Sequence, residues 1–338
     1  MLSRSLVRVL ALVATLAVAA CSPGSSAAPS GSAGASSRTP LVVGLGYIPS
    51  VQFAPFYLAE KNGWYRDAGL EVTFQNKIDP DLVTLVGQGS VDLGLSDGTS
   101  VIPAVSQGIP IRYIATVYGS FPSVVVAKAS SGIRTAADLK GRKLGTPGRY
   151  GSSWIMLQAL LKSVNLTTDD LQIVEYPDFG QAAALQQGQI DAATGFANNE
   201  PVQLAQAGIK VTVLRVDDVI PLQGPGLIAG KSTLDTKPDA VRAFVAVTLR
   251  AMDAIAANPD AGLDAAIATV PELGQNRDTQ KAILQATIET WQSPRGTRFG
   301  ALDAAGWESS ITFMTDLKLV PKPVTVDDVI DGRFLPAR

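Results

Sequence analysis

Short apolar runs alternate with stretches of helical spacing from Leu41 almost to the end of the chain. The runs are bounded by glycine, proline and polar turns, which is typical of β-strands. These runs predict strands starting at residue 41 and over 70–74, 91–95, 111–118, 123–128, 143–146, 172–176, 191–196, 210–216 and 226–230. The spacing predicts helices ending near 62 and 108, a short capped helix at 135–141, and helices over 81–87, 153–164, 180–187, 201–207, 238–257, 282–291 and 302–317. Such alternation predicts an α/β fold with parallel sheets.

The pattern changes character after residue 128, where a polar, glycine-containing stretch leads into a second series of strands and helices. We therefore expect a cleft between two lobes, joined by two crossover strands near 124–128 and 227–229. Lobe 1 is predicted to comprise residues 40–126 plus 229–338, and lobe 2 residues 127–228. Two crossings would permit hinge closure around a ligand. A single domain would need all the strands in one sheet, and we favour it less.

The start of the chain predicts export. Arg4 and Arg8 precede an apolar run over 9–20, which is short for a membrane span but typical of a signal peptide over residues 1–20. The run ends in small residues followed by Cys21, which resembles the bacterial lipobox and implies lipid attachment at that cysteine. Residues 21–39 are rich in Ser, Gly, Ala and Pro and predict a flexible tether. The alternative is an ordinary signal peptide with an incidental cysteine.

Composition restricts the chemistry. The 338 residues contain one cysteine and no histidine, so an internal disulfide and a Ser-His or Cys-His nucleophile pair are both excluded. The absence of histidine also disfavours a typical zinc or iron site. A formal net charge of −2 disfavours nucleic acid as a partner. We therefore predict no catalytic residues, no cofactor and no metal.

Four predicted loops leave strand ends and enter helices, at 47–54, 96–99, 146–153 and 196–200. In open α/β sheets, ligands bind beyond the carboxyl ends of the strands, so these loops should share one cleft. From them and from the end of the strand at 111–118 we predict a ligand-binding set of polar, aromatic and glycine residues. The set comprises Tyr47, Gln52, Phe53, Asp97, Tyr118, Gly151, Ser152, Phe196, Asn198, Asn199 and Glu200.

The aromatic side chains in this set suit stacking on a flat heterocycle, and its amides and carboxylates suit ring nitrogens and amino groups. We also expect that, of the neighbours Phe56 and Tyr57, one faces the core and the other the cleft. Two alternatives remain open. Arg149 with Ser152 and Ser153 could instead hold a sulfonate or nitrate. The polar residues at 152–153 and 198–200 could also simply cap or begin helices.

Three stretches carry a family resemblance: Gly46-Tyr47-Ile48-Pro49-Ser50-Val51-Gln52-Phe53-Ala54-Pro55-Phe56-Tyr57, Val91-Asp92-Leu93-Gly94 and Gly195-Phe196-Ala197-Asn198-Asn199-Glu200-Pro201. They resemble substrate-binding lipoproteins of ABC importers, in the branch related to the fungal synthase of the thiamine pyrimidine precursor. That branch also includes receptors for riboflavin, formylaminopyrimidine, sulfonates and nitrate. The fungal enzymes use a histidine, a lysine-bound cofactor and iron, and this chain has no histidine.

The resemblance implies a two-lobed, type II periplasmic-binding-protein-like fold. It also implies a monomeric, non-enzymatic receptor that the lipid on Cys21 anchors to the outer face or periplasmic side of the cell membrane. Its expected ligand is a thiamine pyrimidine precursor or riboflavin, delivered to a permease with its ATPase. A receptor for sulfonate-type or nitrate-type anions is the alternative, and a pyrimidine-synthesising enzyme is a third hypothesis.

Overall fold

The computed structural model describes residues 38–78, 81–220, 222–292 and 298–337. The predicted signal peptide and Cys21 lie outside the described residues, as does the tether up to residue 37. Every strand predicted from the apolar runs is confirmed, with ends that differ by a few residues. The strands are β1 (Thr39–Leu45), β2 (Leu70–Asn76), β3 (Leu93–Asp97), β4 (Ile111–Thr116), β5 (Ser123–Lys128), β6 (Lys143–Thr146), β7 (Gln172–Glu175), β8 (Ala192–Phe196), β9 (Val211–Arg215) and β10 (Pro225–Gly230).

The strands form two five-stranded sheets. The first has the order β2-β1-β3-β10-β4, and the second has the order β7-β6-β8-β5-β9. The prediction of parallel sheets is wrong, because both sheets are mixed. The pairs of β1 with β2 and β3, and of β6 with β7 and β8, are parallel, whereas β10 and β5 run antiparallel to both of their neighbours. Each reversed strand is the first to follow a passage of the chain from the other sheet, so its direction is set by that passage.

The two passages between sheets lie ahead of β5 and ahead of β10. Strand β5 pairs entirely within the second sheet, and β10 entirely within the first. The boundaries predicted at 126/127 and 228/229 lie within these two strands. The division of the chain into two separately moving lobes stays a prediction.

Helices cover both sheets and account for most of the remaining chain. They are α1 (Ala54–Lys61), α2 (Trp64–Asp67), α3 (Asp81–Gly87), α4 (Gly98–Ser106), α5 (Gly151–Ser163), α6 (Gln181–Gln187), α7 (Glu200–Gln206), α8 (Lys231–Thr236), α9 (Pro238–Ala257), α10 (Pro259–Thr269), α11 (Arg277–Trp291), α12 (Ala304–Asp316) and α13 (Val326–Val329). Among the residues that the structure describes, no helix is long and apolar enough to cross a membrane.

Helix α9 shows how the sequence pattern becomes packing. It begins at Pro238, a position where the missing amide hydrogen costs nothing. Its apolar residues recur every three or four positions, and the stripe is buried against the first sheet. Phe244, in the middle of the stripe, stacks between Phe56 and Tyr65, with ring centroids 6.3 and 5.0 Å away. Trp291 and Trp307, on α11 and α12, are also almost completely buried.

Candidate ligand-binding site

A cavity lies where loops from the two sheets meet. It encloses about 890 Å³ outside the protein atoms, including its open mouth. The lining from the first sheet and its loops consists of Gly46, Tyr47, Gln52, Phe53, Ile78, Leu95, Ser96, Asp97, Tyr118 and Pro225. The lining from the second consists of Pro147, Tyr150, Gly151, Ser152, Ser153, Phe179, Gln181, Gly195, Phe196, Asn199 and Glu200.

The structure brings nearly all of the predicted site residues together. Those that line the cavity are Tyr47, Gln52, Phe53, Asp97, Tyr118, Gly151, Ser152, Phe196, Asn199 and Glu200, and the exception is Asn198. The four predicted loops therefore do meet, as the rule for strand ends requires. That these residues bind a ligand stays a prediction.

Asn198 instead links the two sides of the cavity. Its side chain is buried, and its Nδ2 donates to Gln52 Oε1 at 2.9 Å and to Thr287 Oγ1 at 2.8 Å. Gln52 precedes α1 and Thr287 lies on α11, whereas Asn198 follows β8 of the second sheet. Both hydrogens of this amide are thus used in holding the loop after β8 against the first-sheet side. Tyr118 OH donates to the same Gln52 oxygen at 3.3 Å.

Of the polar loop residues that could cap or begin helices, Glu200 does begin α7, whereas Asn199 and Ser152 make no capping bond. Asn199 occupies the N-cap position of α7, but its side chain makes no capping bond and accepts from Gln203 Nε2 at 2.8 Å. Helix α5 begins at Gly151, so Ser152 lies in its first turn rather than at the cap. Both side chains reach the cavity instead.

An aromatic contact crosses the cavity between Tyr47 and Phe179. The ring centroids are 4.8 Å apart and the rings are nearly perpendicular, at 83°, which is a favourable edge-to-face arrangement. Phe179 has a φ of 60°, in the left-handed region that favours glycine. The sequence prediction missed this residue. An aromatic residue in the turn between β7 and α6 was the available signal, since it is the same feature that selected Tyr47.

The expectation that either Phe56 or Tyr57 faces the cleft is wrong. Their side chains are 1% and 4% exposed and both pack in the core of the first sheet. Both residues lie in α1, which packs against both α9 and α10. Neighbouring positions on this helix can therefore both be buried, on different sides. The cavity-facing aromatic residue is Phe53, one turn earlier.

Glu200 supplies a buried carboxyl group. Burial raises its pKa from 4.5 to about 7, against the opposing effect of hydrogen bonds from backbone amides. One of these bonds runs from Phe196 N to Glu200 Oε2 at 2.7 Å. The Tyr47 hydroxyl also has a raised pKa, first because it is buried and second because Glu200 is near, while a hydrogen bond with Asn199 opposes the rise. The phenol therefore stays protonated at neutral pH.

The cavity carries acidic but not basic side chains. Its described lining includes Asp97 and Glu200 and contains neither lysine nor arginine. Arg149, the cation considered for an anion site, lies outside the lining. Its Nε is 3.0 Å from Glu175 Oε1, and its guanidinium lies over the Trp154 ring at 5.4 Å. An anionic ligand would thus meet no positive side chain in this lining.

Two mixed sheets, covered by helices and joined by two passages of the chain, define a two-lobed α/β protein of the periplasmic-binding-protein-like fold, with its cavity between the sheets. The chain belongs to the NMT1/THI5-like family, whose model matches residues 50–262. The fold is shared with the crystal structure of the periplasmic aliphatic sulphonate-binding protein from Escherichia coli, with a TM-score of 0.69 at 20% identity. That likeness covers 87% of this chain and 98% of the other.

Two curated relatives have names that refer to flat heterocycles. A riboflavin-binding protein of Chloroflexus aurantiacus is 32% identical over 88% of this chain and 86% of its own length. A 4-amino-5-hydroxymethyl-2-methylpyrimidine phosphate synthase of Aspergillus parasiticus is 28% identical over 65% of this chain and 68% of its own length. One of these relatives is thus named as a binding protein and the other as a synthase.

Proposed function

We propose that this protein is the solute-binding receptor of an ABC importer, and that it captures riboflavin or a thiamine pyrimidine precursor for delivery to a membrane permease and its ATPase. The observation that carries the proposal is the composition of the cavity: aromatic rings, amides and two carboxyl groups, with no lysine or arginine in its described lining. Such a lining suits a flat, uncharged or weakly basic heterocycle.

The aromatic side chains approach the cavity from both sides. Tyr47, Phe53 and Tyr118 come from the first-sheet side, and Phe179 and Phe196 from the second. A planar ligand held between them would bury both of its faces against aromatic surface. The names of the two curated relatives, one for riboflavin and one for a pyrimidine, support the same ligand class.

The proposed role involves no reaction. The fungal synthases to which the chain has a resemblance use a histidine, and this sequence has none. The more similar of the two curated relatives is named as a binding protein. Closure of the two lobes around the ligand, export through the signal peptide and anchoring through lipid on Cys21 complete the proposal. The last two concern residues outside the described range.

The sulfonate or nitrate alternative has less support. The sulphonate-binding structure shares the fold at 20% identity, which does not extend to the ligand. Arg149 is engaged by Glu175 and the Trp154 ring, away from the cavity lining. The described part of the lining also offers an anion no positive side chain, and the ionised form of either of its two carboxyl groups would repel it.

A thermal-unfolding screen tests the ligand class. We expect riboflavin or 4-amino-5-hydroxymethyl-2-methylpyrimidine to raise the melting temperature, because a ligand that binds only the folded state stabilises it by about 2.7 kcal/mol at 100 times its Kd. Taurine and nitrate should produce no shift. Stabilisation by either anion alone would contradict the proposal. Recovery of the bound heterocycle with unchanged mass would support a receptor, and a changed mass would support an enzyme.

Phe196→Ala should weaken binding of the heterocycle by about 1–3 kcal/mol, because it removes an aromatic wall of the cavity. Isothermal titration calorimetry with the heterocycle identified in the screen measures the loss. Phe299→Ala is a suitable control, since Phe299 is also partly buried but lies outside the cavity lining. An unchanged Kd in the Phe196 variant would remove this ring from the site.

A further inference from the structure

The side-chain amide of Gln181 is buried in the wall of the cavity. Gln181 is the first residue of α6, and only 1% of its surface is exposed. Its Nε2 donates a hydrogen bond to the backbone carbonyl of Thr194 at 3.3 Å. Because a carbonyl oxygen can only accept, this bond fixes which end of the amide faces Thr194. The other end, the oxygen Oε1, is left for a different partner.

No donor within the described part of the chain reaches that oxygen. Gln181 Oε1 is buried and without a hydrogen-bond partner, although the residue lines the cavity. Buried acceptors of this kind are uncommon in folded proteins, because losing hydration without gaining a hydrogen bond is unfavourable. The position of Gln181 in the cavity wall indicates that the missing donor belongs to the bound molecule.

Neighbouring polar groups point to the same kind of ligand. Asp97 and Glu200 line the cavity, and carboxylates accept hydrogen bonds when ionised. Gln52 Oε1, in contrast, already accepts from Asn198 and Tyr118. A group that offers only acceptors, such as nitrate or the sulfonate group itself, would place acceptor against acceptor at Gln181.

We propose that Gln181 Oε1 accepts a hydrogen bond from a ring N–H or an exocyclic amino group of the bound heterocycle, and so determines which heterocycles are held. This inference rests on the proposed function and adds a specificity determinant to the same cavity. Riboflavin carries one such donor on its ring system, the imide N3–H. An aminopyrimidine carries its amino group.

The test combines a protein variant with a ligand that lacks the donor. Gln181→Met keeps the length of the side chain but removes the amide oxygen. Fluorescence titration with riboflavin should show an affinity about tenfold lower than for the wild-type chain, the effect of losing one buried hydrogen bond. With 3-methylriboflavin, in which a methyl group replaces the N3 hydrogen, the two proteins should bind equally. If the wild-type chain binds the pyrimidine instead, 4-aminopyrimidine and its dimethylamino analogue serve as the pair.

Gln186→Met is the matched control, because Gln186 lies on the same helix and is exposed. It should bind both flavins as the wild-type chain does. Equal losses for both ligands in Gln181→Met would show a structural role and overturn the inference, as would unchanged riboflavin binding. Failure of the proposed function gives a different result: the wild-type chain then binds none of these heterocycles.

Discussion

Replacing Trp307 by alanine is expected to lower the free energy of unfolding by about 3–5 kcal/mol, the usual cost of removing a large buried aromatic side chain. Trp307 lies on α12 and is fully buried. Its ring meets that of Tyr113 at 4.7 Å between centroids and 68° between planes. The alanine variant would leave a cavity that the surrounding helices and sheet can close only in part.

The loss should also affect the passage of the chain into β10. The Tyr113 hydroxyl donates to the carbonyl of Gly224 at 3.1 Å, immediately ahead of that strand. Removing the indole takes away the ring that packs on Tyr113, so we expect this hydrogen bond to loosen as well. Urea denaturation followed by tryptophan fluorescence and circular dichroism measures the change.

Trp307→Phe is the conservative comparison. It keeps an aromatic ring against Tyr113 and removes the indole Nε1, which has no hydrogen-bond partner among the described residues. Its loss should therefore be smaller than that of the alanine variant. A change within about 0.5 kcal/mol for Trp307→Ala, as at a typical surface site, would show that the indole is not part of the core.

Glu200 is expected to make the protein less stable as the pH rises from about 4.5 to above 7. The unfolded chain releases this proton near the ordinary value of 4.5, whereas the folded protein holds it to about 7, because burial raises the pKa. Between these values the folded state binds more protons than the unfolded state. The contribution is therefore fully present below pH 4.5 and is lost as pH rises through 7.

The rise in the pKa of Glu200 from 4.5 to about 7 corresponds to about 3 kcal/mol in the free energy of unfolding, at about 1.4 kcal/mol for each pKa unit. Glu200→Gln keeps an oxygen that can accept from Phe196 N but cannot ionise, so its stability should lack this pH dependence. Compared with this variant, the wild-type chain should lose about 3 kcal/mol between pH 4 and pH 8 in urea denaturation. Glu71→Gln, at an exposed carboxyl on β2, is the matched control for this comparison. Parallel profiles for wild type and Glu200→Gln would contradict a raised pKa of Glu200 in the folded protein.

Local pattern was enough to predict the strands and most of the longer helices. Apolar runs bounded by glycine, proline or polar turns indicated every strand, and the stripe of α9 was visible from its spacing, whereas α10 and the short helices α2, α8 and α13 were not predicted. The direction of the strands could not be predicted in this way. Nothing in the residues of β5 or β10 distinguishes a parallel from an antiparallel partner, because a buried central strand is apolar in either case. Their reversal depends on how the chain arrives from the other sheet.

The cavity lining was predictable where the rule for strand ends applied. It was missed where contacts between residues distant in the sequence determine which side chains line the cavity. The rule that ligands lie beyond strand ends gathered Tyr47, Asp97 and Phe196 correctly into one cavity. The turn after β7 was interpreted only as the start of a helix, so Phe179 and Gln181 were missed. For Phe179 the aromatic residue in the turn was an available signal. The place of Gln181 in the cavity wall depends on its hydrogen bond to Thr194, which no local pattern reports.

Asn198 illustrates the same limit. Its sequence context offered ligand contact or helix capping. In the structure it lies outside the cavity lining, and the N-cap of α7 is Asn199. The side chain bridges Gln52 and Thr287, which are far from it along the chain. The two hydrogen bonds of this buried amide form only when elements that are distant in the sequence pack together in the folded state.

The position of β10 determines the order in which the sheets can be completed during synthesis. The second sheet contains no strand beyond Arg215, so all of its strands have left the ribosome before the first sheet receives β10 between β3 and β4. Until then, β3 and β4 each present an unpaired edge, and edges of this kind invite aggregation. A nascent chain halted before residue 225 would therefore contain all five strands of the second sheet but only four of the first.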